Sequence, residues 1–223
     1  LPAFRYSAPF IAEAMASMAA AGVARILFLL LSPFYASVTT GNYINTAQAY
    51  LEKSSSPIPV SFIHSWHREP LFIDSWVEKI KNESFDGGAC YLFSAHSLPI
   101  KFAGEPYRQQ IEEAVAAVIA RAGITNHALG WQSIPNNALE PWITPTVEEK
   151  IDAIAAAGFT SIIQVPIGFT ADHIETLYDI DITHRQYALA KGLSFRRLSS
   201  LNAGETFVRA LQEIVTRVNA DER

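Results

Sequence analysis

The chain has a single cysteine, Cys90, among its 223 residues. That excludes an internal disulfide and any zinc or iron–sulfur centre built from clustered cysteines. Cys90 lies in an apolar run and reads as a small buried hydrophobe. No apolar run approaches the ~20 residues that a membrane-spanning helix requires; the longest candidate, Ile26 to Leu31, has the length of a strand. Cations are also few. Lys plus Arg number 17 against 22 Asp plus Glu, giving a net charge of −5 and no basic stripe to follow a nucleic-acid backbone. The chain opens at Leu1 without a methionine or a signal-peptide pattern. The single cysteine fits a reducing, cytoplasmic setting.

What is present is an ordinary globular core, with 49% hydrophobic residues, arranged in alternating helical and strand-like runs. Strands are expected at Val60 to Ile63, Ala89 to Phe93 and Ser161 to Pro166. Helices are expected at Pro70 to Lys81, Glu105 to Arg121 and Thr206 to Val218, the last with Phe207, Leu211, Ile214 and Val218 on one face. Trp131 to Pro145 reads as a structured loop and Ser54-Ser55-Ser56 as a turn. The pattern is α/β, with parallel sheets in two Rossmann-like lobes.

A weak repeat runs through the chain at an offset of 136, the step from Pro9 to Pro145. Pro9 to Leu31 lines up with Pro145 to Ile167, through matching Ala-Ala-Ala-Gly stretches that end at Gly22 and Gly158. Each copy reads as proline in a first helical turn, an amphipathic helix, a left-handed glycine cap and a buried strand. Continuing the match sets Ser37 opposite His173 and Thr39 opposite Glu175. Two lobes related by a pseudo-twofold axis would turn their strand-end loops towards one cleft. One loop, Asp172 to Asp179, carries titratable groups; the other, Ser32 to Tyr43, carries hydroxyls and aromatics.

The chemistry concentrates after two strands, in Ser94-Ala95-His96-Ser97-Leu98-Pro99 and in Asp172-His173-Ile174-Glu175-Thr176-Leu177-Tyr178-Asp179. Side chains just past the carboxyl ends of strands surround the ligand crevice of an open α/β sheet. A histidine and a carboxylate there move protons or hold a metal. Asp172 suits a helix cap, whereas Glu175 and Asp179, at i and i+4, would share a helical face as hard oxygen ligands for a divalent ion. His173 reads as a capping or supporting group, and His64 and His67 as surface or interface residues. Phe34, Tyr35, Tyr43, Trp131 and Trp142 provide the flat surfaces that a macrocycle pocket needs, or simply core.

These segments, with Gly104-Glu105-Pro106-Tyr107, Gly130-Trp131-Gln132-Ser133, Glu140-Pro141-Trp142 and Ser200-Leu201-Asn202, resemble the ferrochelatase family in order and from about Pro9 to the C-terminus. The resemblance implies a chelatase-like fold that inserts Fe2+ into coproporphyrin III or protoporphyrin IX during haem biosynthesis, a lyase-class reaction. Alternatives are a non-catalytic porphyrin-binding relative or a cobalt or nickel chelatase. It implies His96 and Glu175 as catalytic, His96, Glu175 and Asp179 as metal contacts, and Trp131, Tyr35, Phe34, Ser94 and Tyr43 against the porphyrin. The family's third acid is Thr183 here, and Phe34 stands where several relatives have a polar residue. Iron would be a substrate, with no resident cofactor and no iron–sulfur cluster, and the protein a monomer without a transmembrane segment, though able to contact a membrane surface. Set against the family, the chain begins inside an N-terminal lobe whose remainder is 1–86, followed by a C-terminal lobe at 87–197 and a helix at 198–223 packing back on the first lobe.

Overall fold

The computed structural model describes residues 1–54, 58–83, 88–102 and 106–221. It divides into two compact units, Leu1–Trp66 and His67–Arg223. The break falls ahead of the expected boundary at 86/87, which itself lies outside the described residues, as do Ser55, Ser56, Gly104 and Glu105.

The first unit contains α1 (Ile11–Ala20), β1 (Ile26–Leu29), a π-helix at Ser37–Gly41, α2 (Asn42–Lys53) and β2 (Val60–Ile63). β1 and β2 pair in parallel, Ile26 against Val60 and Leu29 against Ile63. Ile11, Met15, Ile26 and Ala47 form its core.

The second unit begins with α3 (Pro70–Asn82). There follow β3 (Cys90–His96), α4 (Pro106–Ala122), β4 (His127–Gln132), α5 (Val147–Ala156), β5 (Ser161–Val165), a π-helix at Glu175–His184, α6 (Arg185–Ala190), β6 (Ser194–Arg197) and α7 (Glu205–Asp221). Four parallel strands are ordered β4-β3-β5-β6. α3 packs on α4 and α7, burying Phe72, Trp76, Ile111, Phe207 and Ile214. That packing is why the division precedes α3. α5 instead covers β3 and β4, and Val147, Ile151 and Ile154 close over Cys90, Leu92 and Ile162.

The repeat is visible in local geometry. α1 and α5 are both ten residues long and end in the same turn, with Gly22 at φ 70° and Gly158 at φ 85°. The Glu13 carboxylate accepts from Phe10 N at 2.9 Å and that of Glu149 from Thr146 N at 2.7 Å. Thr146 Oγ1 in turn accepts from Glu149 N, completing a capping box that Phe10, lacking a side-chain acceptor, leaves half made. Pro9 and Pro145 stand one residue ahead of these caps, not in the first turn as expected. Their carbonyls are occupied in accepting from Phe4 N and Trp131 N. β1 and β5 are each followed by a π-helix, and at the offset of the repeat the two overlap at 39–41 and 175–177.

Candidate functional site

β3 delivers His96 to the carboxyl end of the second sheet, opposite Gln132 of β4 in register. The turn after β5 closes against it through Gly168. A Cβ there would lie 2.7 Å from Ala95 Cβ and 2.8 Å from Ala95 Cα, so only glycine allows the approach. Gly168 N donates to Ser94 O at 3.1 Å, locking the two strand ends together.

The His96 ring is ordered from both sides. Nδ1 faces the carbonyl of Ser97; a carbonyl only accepts, so Nδ1 carries the proton and the Nε2 lone pair is left open. Nε2 lies 4.0 Å from Glu175 Oε2, and both side chains remain partly exposed. The Trp142 ring stands 6.4 Å from the imidazole, centroid to centroid. Beneath it, Tyr107 Oη donates to His96 O at 2.9 Å. Burial first, and then the Glu175 charge, push the Tyr107 hydroxyl well above its ordinary pKa, so it keeps the proton that it donates here.

Glu175 opens a π-helix rather than the α-helix expected. Its first turn is made by Thr176, fully buried, whose Oγ1 accepts from His173 N at 3.0 Å and donates to His173 O at 2.9 Å. His173 Nδ1 accepts from Glu175 N at 3.2 Å, in the capping role expected of it. Asp172 does not cap the helix amides. Its carboxylate is taken by Arg197, Ser200 N and Asn202, which together outweigh a burial effect of opposite sign and hold its pKa below the usual value. Winding i to i+5 gives more than four residues per turn. Glu175, Asp179 and His184 therefore recur along one side. Asp179 Oδ2 accepts from Ser133 Oγ at 2.6 Å, and Ser133 adopts φ 63° to present it. His184 is buried, and that burial lowers its pKa against the raising effect of Glu148 and Asp179.

Several residues expected at a ligand are otherwise engaged. Ser94 is fully buried and accepts from Gln164 Nε2 at 2.8 Å; Gln164 Oε1 in turn accepts from His184 Nδ1 at 3.2 Å. Ser94 therefore ties β3 to β5. Trp131 is 1% exposed and packs against Tyr107, because the bare Gly130 brings α5 down on β4, within 2.9 Å of where a Cβ would stand. Phe34 is buried in the first unit. Tyr35 and Tyr43 there remain partly exposed, Tyr35 beside His64 at 5.8 Å and Tyr43 against the α1 core. His67 is buried and bonded to Glu113 at 2.9 Å, not a surface group. Tyr107, Ser133, Gln164 and Gly168 were not legible as site residues, since each acts through a contact distant in sequence.

Among the described residues, no three His, Cys, Asp or Glu side chains converge as a metal cage. His96 and Glu175 form a two-residue pair. No helix among the described residues is long and apolar enough to cross a membrane.

A histidine facing a carboxylate, at the carboxyl ends of a parallel sheet and beside an aromatic ring, lies where open α/β sheets bind their ligands. The Ferrochelatase family model matches residues 1–219, and the chain belongs to that family. It is 37% identical to a coproporphyrin III ferrochelatase of Geobacillus sp. (strain WCH70), over 94% of this chain and 70% of that protein. It is 36% identical to a ferrochelatase of Geobacter sp. (strain M21), over 96% of this chain and 69% of that protein. In fold it is similar to a solved structure of SirB from Bacillus subtilis with Fe3+, at a TM-score of 0.68 and 12% identity, covering 97% of this chain and 80% of that one.

Proposed function

We propose that the chain inserts Fe2+ into a porphyrin in haem biosynthesis, as a monomeric, cytoplasmic lyase. The observation that carries this is the His96–Glu175 pair, with Nδ1 committed to Ser97 O and Nε2 open 4.0 Å from the carboxylate. Insertion exchanges one Fe2+ for two pyrrole protons. His96 Nε2 takes the first proton, becoming an imidazolium whose charge Glu175 stabilises. Passing that proton to Glu175 returns Nε2 to its basic form for the second.

Asp179 marks the approach of the ion, with Oδ2 held by Ser133 and Oδ1 left for the cation. Trp142 offers a flat face beside the imidazole. Iron is consumed as a substrate, and the scheme needs no resident cofactor. Coproporphyrin III is the first ring to test, because relatives at 36–37% identity carry that name.

Anaerobic assay of the 223-residue chain with Fe2+ and coproporphyrin III or protoporphyrin IX should give the metalloporphyrin spectrum. Porphyrin binding without turnover would mark the chain as a binding protein, and turnover with Co2+ or Ni2+ but not Fe2+ would reassign its metal.

A further inference from the structure

Arg197, the last residue of β6, holds the π-helix at two points with one guanidinium. Nε and Nη2 donate to Asp181 Oδ1 and Oδ2 at 2.8 and 2.9 Å, a bidentate fork. Nη1 donates to Asp172 Oδ1 at 2.7 Å and to Leu198 O at 3.1 Å. The Arg197 side chain is only 10% exposed. Asp172 is held a second time from the loop after β6. Asn202 Nδ2 donates to Asp172 Oδ2 and Asn202 Oδ1 accepts from Asp172 N, both at 2.9 Å, while Ser200 N donates to Asp172 Oδ1 at 3.1 Å. Asn202 takes φ 51° to do this, with its own N–H on Thr170 O.

The two anchor points, Asp172 and Asp181, bracket Glu175 and Asp179. Neither of those carboxylates is itself bonded to Arg197, whose single positive charge is shared between the two anchors. A π-helix is a rare and poorly bonded form, and this one presents Ile174, Leu177, Tyr178 and Ile182 to solvent. Little apolar packing on that side fixes its rotation, so the polar bracket does so instead.

We propose that Arg197, acting through Asp172 and Asp181, is a positioning residue that sets Glu175 and Asp179 for the incoming divalent cation. The proposal rests on the functional reading above, and its test separates the two. Arg197→Met keeps the stem and removes the fork, Arg197→Lys keeps the charge with a single contact, and Asp181→Asn, at a half-exposed position, loosens one anchor without emptying the core.

With coproporphyrin III, Arg197→Met should raise the KM for Fe2+ about tenfold, the scale at which groups behind metal ligands act. The KM for the porphyrin should stay within about twofold, because the bracket acts on the two carboxylates. Arg197→Lys and Asp181→Asn should fall between that variant and the parent. Mn2+ binding followed by electron paramagnetic resonance provides a readout independent of turnover: affinity should fall about tenfold in Arg197→Met and also in Glu175→Gln. A parent that binds Mn2+ but inserts no iron ends the functional reading while still testing the bracket. An unchanged Fe2+ KM with only a lower active fraction, unchanged Mn2+ affinity in Arg197→Met and Asp181→Asn, or no Mn2+ binding by the parent overturns the proposal.

Discussion

His96 can act as a base because its two ring nitrogens have unequal surroundings. The Ser97 carbonyl fixes the proton on Nδ1, and the open Nε2 meets a carboxylate. His96→Ala should lower iron insertion by roughly 100- to 10,000-fold, the usual contribution of a positioned base. Porphyrin affinity, which comes from apolar contact, should change by less than about tenfold; a variant retaining near-normal turnover would remove His96 from the mechanism. Inner and outer acids should separate kinetically. Glu175→Gln should reduce kcat, and Asp179→Asn chiefly raise the KM for Fe2+. Identical defects would mean that the two acids act as one unit. Cys90 is chemically quiet for a different reason, since burial alone pushes its thiol up to about 11. A maleimide should label it only on unfolding, and rapid labelling of the folded chain would contradict that burial.

At the scale of elements, most of the frame was legible. Val60 to Ile63 is the strand expected, and the helices after Pro70, Pro106 and Glu205 follow from apolar periodicity. β3 runs on to His96, past the expected end at Phe93, because it keeps pairing with β4, a strand that was not expected and whose last residues, Trp131 and Gln132, were read as loop. The π-helix was not legible. Periodicity of 3.6 is the default for a helical segment, and the winding here is imposed by Thr176 closing on His173 and by the contacts of Arg197 in β6 with Asp181 and Asp172, 16 and 25 residues away. The same distance hid the occupation of Asp172 and of Ser94. Gly168, by contrast, has a purely steric role with a testable size. Gly168→Ala forces a Cβ to 2.8 Å from the Ala95 backbone, an overpacking of about 1–3 kcal/mol. Melting should fall by roughly 2–12 °C for a chain of this length, with loss of insertion because the displaced strand end carries His96. An unchanged melting point would show that the turn yields freely.

At the scale of the whole molecule, the same device serves both units, and only one of them carries the carboxylates. In the first unit Thr40, buried, accepts from Ala36 N and donates to Ala36 O, both at 3.0 Å. In the second, Thr176, 136 positions on, closes likewise on the N–H and C=O of His173, three residues back rather than four. Each hydroxyl therefore satisfies a backbone N–H and C=O at the mouth of a π-turn, and Thr→Val removes it with little change of volume. An unsatisfied buried donor costs about 1–3 kcal/mol, so Thr40→Val and Thr176→Val should lower stability by comparable amounts. Their kinetic effects should differ. Thr176 fixes the turn that begins with Glu175, and its loss should lower the rate of insertion by about tenfold or more, as small misplacements of reacting groups do. Thr40 fixes a turn of hydroxyls and glycine, and its loss should leave the KM for Fe2+ within about twofold of the parent, since no metal-ligating side chain moves with it. Melting curves, and insertion rates at a temperature where all variants are folded, check both halves. Equal losses of rate at matched stability would show that the repeated turns share one function, and that the division of labour between a titratable loop and a hydroxyl-bearing loop is mistaken.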